Sequence, residues 1–336
     1  MRRDFLKGAL ATLAAPALAT PFTRTATSQV TEPVNLSFAT FNVGSSWYVY
    51  GTALSGPMQD ALPRGSSIEV LAYQGGIGNP ILVNRGDAQL GLSFSALSNW
   101  AAKGIIAFDE PLTEIRALIG DIATPHRLGI VVRRDAGIES VGDAADMPIR
   151  LVTTARGSAG EALARLSLES YGLTYEDVTA AGGRVTHIDL PVAIQQMRDG
   201  QADMLIHNVG YRHPAVLELS LGGGVTFIGL GEEQMAYIAE NYGLQPGLSI
   251  PADEFEGVAA DIPSVGYPTS VIVNASVPEA VAHAITRAVC KNPEALHAAH
   301  PGLASFDPVN AADPLRNGNV PLHPGAERYY REAGLL

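Results

Sequence analysis

Short apolar runs alternate with Gly- and Pro-punctuated stretches of helical character from Val34 onward, the pattern of an α/β fold built on largely parallel strands. The runs predict strands at Asn35 to Thr40, Ile68 to Ala72, Gln89 to Phe94, Arg116 to Ile119 and Leu128 to Val132. A second series predicts strands at Arg150 to Thr153, Arg184 to Ile188, Asp203 to His207 and Val225 to Leu230, and a last strand follows at Thr269 to Val273. Beyond it, Ser276-Val277-Pro278-Glu279 reads as a helix start, with Ser276 as N-cap and Glu279 as its capping-box partner. The helix Glu279 to Cys290 places Val281, Ile285, Ala288 and Val289 at core-like spacing, which makes Cys290 a core residue.

The two series share a grammar. Val83-Asn84-Arg85-Gly86-Asp87-Ala88-Gln89 before the strand Leu90-Gly91-Leu92-Ser93 is matched by Gln196-Met197-Arg198-Asp199-Gly200-Gln201-Ala202-Asp203 before Met204-Leu205-Ile206-His207. Each glycine suits a left-handed helix end, and the amide or acid after it opens the next strand. The repeat divides the chain into a first lobe of residues 34–127 and 231–336 and a second lobe of residues 128–230. The chain is expected to cross near Thr124 to Arg134 and to recross near Val225 to Gly231. Each lobe is a mainly parallel sheet flanked by helices, and two lobes on two crossing segments can close around a small solute.

Charge and cysteine content narrow the options. Against 34 Asp and Glu stand 22 Lys and Arg, a net charge of -12, so neither nucleic acid nor an anionic membrane surface is an expected partner. The single cysteine, Cys290, excludes an intramolecular disulfide and any cysteine-based metal cluster. His297 and His300 have i, i+3 spacing, but no motif supplies further ligands, and no metal or cofactor is expected.

The N-terminus reads as an address. Arg2-Arg3-Asp4-Phe5-Leu6-Lys7 precedes a mild apolar run from Gly8 to Ala19 that ends in Ala17-Leu18-Ala19, the order of a signal peptide over residues 1–19. The run is too short to span a bilayer and contains Pro16. Its twin arginines resemble a Tat signal, with general secretion as the alternative, and either route exports the chain. Residues 20–33 read as a polar linker.

In an open parallel sheet, ligands lie beyond the carboxyl ends of the strands. Four segments stand there. Thr40, Gly44, Ser45 and Ser46 follow the first strand, and Thr153 to Gly160 occupies the matching place in the second lobe. Free N–H groups and the positive dipole end of a helix bind carboxylates at such turns. Ser158 either binds solute or caps its own helix; Arg156, beside Gly157, either clamps a carboxylate or stays in solvent. Of the adjacent aromatics Trp47 and Tyr48, one packs in the core and Tyr48 is assigned to the ligand. Gln74 and Gly75 add an amide and a flexible backbone, Ser95 follows the third strand, and Asn208 and Tyr211 follow its second-lobe counterpart. Beside Asn208, His207 either meets an anion or is bonded within the fold.

No phosphate loop, dinucleotide fingerprint, H-E-x-x-H or G-x-S-x-G motif is present. The chain does contain Phe38-Ala39-Thr40 with Val43-Gly44-Ser45-Ser46-Trp47-Tyr48, the Gln74-Gly75-Gly76 turn, Ile138-Glu139-Ser140-Val141, and Tyr171-Gly172-Leu173-Thr174-Tyr175-Glu176-Asp177-Val178. It ends in Val320-Pro321-Leu322-His323-Pro324-Gly325-Ala326-Glu327-Arg328-Tyr329-Tyr330. In these stretches it resembles the TAXI-type substrate-binding proteins of tripartite ATP-independent periplasmic (TRAP) transporters. The resemblance implies the two-lobed periplasmic binding fold of type II and a periplasmic location. It also implies a small organic acid or amino acid as solute, glutamate-like or 2-oxo, and a membrane permease driven by an ion gradient as partner. Ser46 and Trp47 stand where the family usually has Gly and Tyr, and Arg156 enters a loop that is normally glycine-rich. The competing reading is an exported hydrolase or other enzyme on a similar fold.

Overall fold

The computed structural model describes residues 30–41, 43, 45–73 and 75–336; the expected signal peptide lies outside them, as does most of the linker. Ten strands form one sheet: β1 (Asn35–Ala39), β2 (Ser67–Leu71), β3 (Leu90–Phe94), β4 (Ile115–Arg133), β5 (Arg150–Thr153), β6 (Arg184–His187), β7 (Met204–Val209), β8 (Val225–Ile228), β9 (Gln245–Ile250) and β10 (Ile262–Asn274). The helices are α1 (Ser46–Asp60), α2 (Gly78–Arg85), α3 (Ser95–Lys103), α4 (Ala159–Glu169), α5 (Tyr175–Ala180), α6 (Leu190–Arg198), α7 (Pro214–Leu221), α8 (Glu232–Tyr242), α9 (Glu279–Cys290), α10 (Pro293–Ala299) and α11 (Pro324–Glu332).

The sheet order β2-β1-β3-β10-β4-β7-β5-β6, with β8 on β4 and β9 on β10, has two wings. In the first, β1 pairs in parallel with β2 and β3. In the second, β5 pairs in parallel with β6 and β7. Between them run β4 and β10, antiparallel to each other and to every neighbour. The 19-residue β4 pairs with β10 from Ile115 to Arg127, then with β7 and β8 as far as Arg133. The segments Arg116 to Ile119 and Leu128 to Val132, expected as separate strands, are therefore one. Asp121, at φ 53°, and register shifts opposite Tyr267, Thr269 and Val271 break the apolar alternation without ending the ladder.

The return crossing also differs from expectation. Val225 to Ile228 pairs with β4, and β9, unpredicted because Pro246 and Gly247 interrupt its pattern, pairs with the first half of β10. Ile250, Phe255 and Val258 pack with Val131, Val152, Leu205 and Val209. Residues 250–258 thus pack with the second wing, and the chain returns to the first along β10, of which Thr269 to Val273 is only the distal part.

The repeat is visible in the backbone. Gly86 ends α2 at φ 77°, and Gly200 follows α6 at φ 69°, the left-handed conformation that a side chain resists. Helix α9 runs Glu279–Cys290 with Cys290 buried, but its N-cap is Pro278; the Ser276 hydroxyl instead bonds the Asn274 side chain at 2.5 Å. Among the described residues, no helix is long and apolar enough to cross a membrane.

Candidate functional site

The carboxyl ends of β1, β3, β5 and β7 meet where β4 passes from β10 to β7, at His126-Arg127. Loops and helix N-termini converge at this point because the parallel strands of both wings end there. Serine hydroxyls cap the two opposed helices: Ser45 Oγ accepts from Tyr48 N at 3.2 Å in α1, and Ser158 Oγ from Glu161 N at 3.3 Å in α4. Each cap satisfies one of the donors that a helix start leaves free.

An aromatic floor joins the wings. The Phe94 ring, at the end of β3, lies 4.5 Å from Trp47, 4.5 Å from Tyr267 and 4.7 Å from His126, centroid to centroid. These rings come from α1, β3, β4 and β10, so first wing and hinge are packed as one cluster. Across it, Asn208 Nδ2 stands 3.5 Å from His126 Nδ1, and His207 meets His213 edge to face at 5.7 Å.

The floor is polar yet neutral. Burial, with the nearby His213 and Arg127, pushes His126 down to about 3; burial, with His213 and His126, does the same to His207. Burial raises the Tyr267 phenol above its ordinary value, so it stays protonated. Trp47 Nε1, Tyr267 Oη, Thr269 Oγ1, His207 Nδ1 and His213 Nδ1 are buried with no hydrogen-bond partner, whereas most buried polar atoms in proteins have one. Buried charges, by contrast, are paired. Glu254 accepts two bonds from Arg127, at 2.6 and 2.7 Å, and one from Arg212 N at 2.9 Å. Asp121 pairs with Arg316. Glu161 accepts from Gly157 N at 3.3 Å and Tyr175 Oη at 3.1 Å, at the N-terminus of α4.

The residues expected from sequence divide by what they touch. Gly44 and Gln74 lie outside the described residues. Thr40 is fully buried and donates to Leu71 O at 2.8 Å, a clip between β1 and β2 rather than a surface for solute. Ser46 is exposed and Tyr48 half-buried on the first turn of α1, and Ser95 is buried at the start of α3. Gly75 has φ 76°, and a Cβ there would stand 2.9 Å from the Phe41 ring. In the second wing, Ser158 caps its own helix, and Gly157 donates to Glu161. Arg156 is exposed, its guanidinium 5.8 Å from the centroid of the Tyr175 ring. Asn208 is half-buried beside His126, and Tyr211 is 49% exposed.

Of the adjacent aromatics, Trp47, 6% exposed, packs against Phe94 in the floor, and Tyr48 stays half-buried. Sequence reasoning also missed His126, Tyr267 and Thr269. The usable signal was Gly266-Tyr267-Pro268-Thr269, polar and aromatic residues leading into the predicted strand Thr269 to Val273.

Comparison with known proteins places this geometry. A family model described as the NMT1-like family matches residues 38–334. Among solved structures, XAC2383 from Xanthomonas citri bound to ATP superposes with a TM-score of 0.51 at 13% identity, covering 90% of this chain and 96% of that one. The alkanesulfonate-binding protein SsuA from Xanthomonas axonopodis pv. citri bound to MOPS matches at 0.49 and 15% identity, covering 90% and 84%. The periplasmic binding protein BugD matches at 0.49 and 16%, covering 90% and 98%. The mixed α/β fold, a central sheet with flanking helices, is shared with XAC2383.

Proposed function

The chain belongs to the NMT1-like family, and from that premise we propose that it is the periplasmic solute receptor of a TAXI-type TRAP transporter. It captures a small organic acid or amino acid, of the glutamate-like or 2-oxo class, between its wings and delivers it unchanged to an ion-gradient-driven permease. The observation that carries this reading is a serine-capped helix after the leading parallel strand of each wing, together with buried polar atoms that have no protein partner where β4 and β10 join the wings. A catalytic reading finds no comparable support, since the histidines of the floor are held neutral beside paired acids rather than beside a nucleophile.

In this reading Ser46, Tyr48, Gly75 and Ser95, with Gly44 and Gln74, present the first wing to the solute, and Asn208, Tyr211 and the Gly157-Ser158 turn present the second. Closure bends β4 and β10 where their register shifts, between Tyr267 and Val271. Export through the Tat pathway fits the twin arginines Arg2 and Arg3.

The test is thermal unfolding of the solute-stripped protein against amino acids, 2-oxo acids, dicarboxylates and aromatic acids. A solute at about 100 times its dissociation constant adds about 2.7 kcal/mol of stability, and recovery of that solute unchanged supports the receptor. Chemical conversion of the stabilising compound transfers the protein to the enzyme class.

A further inference from the structure

Helix α8 is bonded to both wings. The carbonyls of a helix's last turn have no partner within it, and in α8 one of them, Tyr242 O, takes the indole hydrogen of Trp100 at 2.8 Å. Trp100 stands on α3 of the first wing and is fully buried. Gly243 closes α8 at φ 70°, beside the Asn99 side chain of the same α3. The end of α8 is thereby fastened to the first wing.

Its side chains reach the second wing. Tyr237 and Tyr242, their rings edge to face at 6.3 Å, both donate to one oxygen, Oε1 of Glu169, the last residue of α4; the Tyr237 bond is 2.8 Å. Hydrogen bonds to an ionised carboxylate are about twice as strong as neutral ones. The bond to Glu169 holds the Tyr237 phenol above its ordinary value, and burial, with the same bond, does so for Tyr242. Both phenols therefore keep the hydrogens they donate. Helix α4 starts at the Gly157-Ser158 turn and reaches Glu169 about 16 Å farther along, so this link stands apart from the turns assigned to the solute.

The wings are joined through β4 and β10. Rotation about those strands changes the length of any bond between the wings that lies beside them, so such a bond favours one angle. We infer that Glu169 is a positioning residue: by taking both phenols of α8 it sets the angle at which the second wing stands to the first, and with it the width of the cleft. The wing angle is a property of the fold; its use in solute capture rests on the receptor reading above.

Pulsed electron paramagnetic resonance on the full chain, stripped of solute by denaturation and refolding, reads the angle without a ligand. Spin labels go on Asp60→Cys, exposed at the end of α1, and Glu176→Cys, exposed on α5, while the native Cys290 is buried. Glu169→Ala and the double variant Tyr237→Phe/Tyr242→Phe shift or broaden the distance distribution in the same sense. Glu169→Gln, which keeps an acceptor for the phenols, restores the parental one. Parental distances in both disrupted variants, or a change in only one of them, overturn the inference, as does a lowered unfolding midpoint with parental distances. Titration with L-glutamate and 2-oxoglutarate follows. An acid that binds the parent binds Glu169→Ala with an affinity changed at least about threefold, because the fraction of molecules at the binding angle scales the apparent constant. An affinity equal to the parent's overturns the inference. Failure of the parent to bind either acid removes them as solutes, and the distances alone then decide the role of Glu169.

Discussion

The two wings are built alike and charged differently. In the first, Ser37 N donates to Gln89 Oε1 at 2.9 Å and Gln89 N to Ser37 O at 3.1 Å. In the second, Arg150 N donates to Asp203 Oδ2 and Asp203 N to Arg150 O, both at 2.9 Å. The third residue after each repeated glycine thus clips the neighbouring parallel strand through the same two bonds. The opposed helices are likewise both serine-capped, yet only α4 carries a buried carboxylate, Glu161, against its own turn. A repeated turn that looks twice like an anion site in sequence is internally occupied in one copy. The likeness supports a shared architecture; under the proposed receptor reading, the difference favours the first wing for the acidic end of a solute.

The largest expected effect tests whether the two clips are equivalent. Asp203→Ala removes a charge-assisted clip that also holds Arg150 Nε at 2.8 Å, and costs about 2 kcal/mol; Gln89→Ala, a neutral clip, costs about 1 kcal/mol. Urea unfolding of both variants checks the order, and a larger loss at Gln89 breaks the comparison. The acid limb sharpens it. Burial pushes the Asp203 carboxyl up, but its bonds from Arg150 outweigh that and leave it below its ordinary value. A lowered carboxyl stabilises the fold above the unfolded value of about 3.9, and that contribution is lost as pH falls through the lower folded value. Asp203→Asn lacks this component, so its stability falls less steeply below about pH 4 than that of the parent.

What the sequence disclosed follows from how local each feature is. The repeated glycine turns, the Ser158 cap as one of two readings and the helix Glu279–Cys290 are written in neighbouring residues and are legible there, whereas Ser45, expected at the ligand, caps α1. The stretches that resembled a family are local too, and they hold the fold. Thr174 and Asp177 form a capping box beside the fully buried Val178, and Tyr330 Oη donates to Leu118 O at 2.8 Å. These two stretches carry architecture and little about the solute. The floor was illegible because Trp47, Phe94, His126 and Tyr267 become neighbours only through the antiparallel pairing of β4 with β10. The same pairing hid the hinge, since a bulged ladder tolerates the Gly, Asp and Pro residues that read as strand ends.

A smaller effect is expected at Glu161, where the wings differ most. Glu161→Gln removes the internal anion from the α4 turn but retains acceptors for Gly157 N and Tyr175 Oη. Affinity for an acidic solute rises about threefold as a like charge leaves the cleft wall, and stability falls by at most about 1 kcal/mol through the lost dipole interaction. Titration calorimetry reads both directions: weaker binding in the variant makes Glu161 a solute contact and restores the symmetry of the two turns.

The smallest effect belongs to Arg156, the one cation in the second-wing turn. Its guanidinium rests over Tyr175 at 5.8 Å, in solvent, a contact of about 0.5–1 kcal/mol. The ring beneath it bonds Glu161, whose carboxylate pairs with Arg165 at 3.8 Å rather than with Arg156. Arg156→Gln therefore changes solute affinity by less than about twofold and stability by no more than the cation–π contact. A drop in affinity worth about 2–5 kcal/mol would instead mean that the guanidinium leaves the ring to clamp the solute. The two wings would then hold an acid from both sides, and the asymmetry drawn from Glu161 would describe the empty receptor alone.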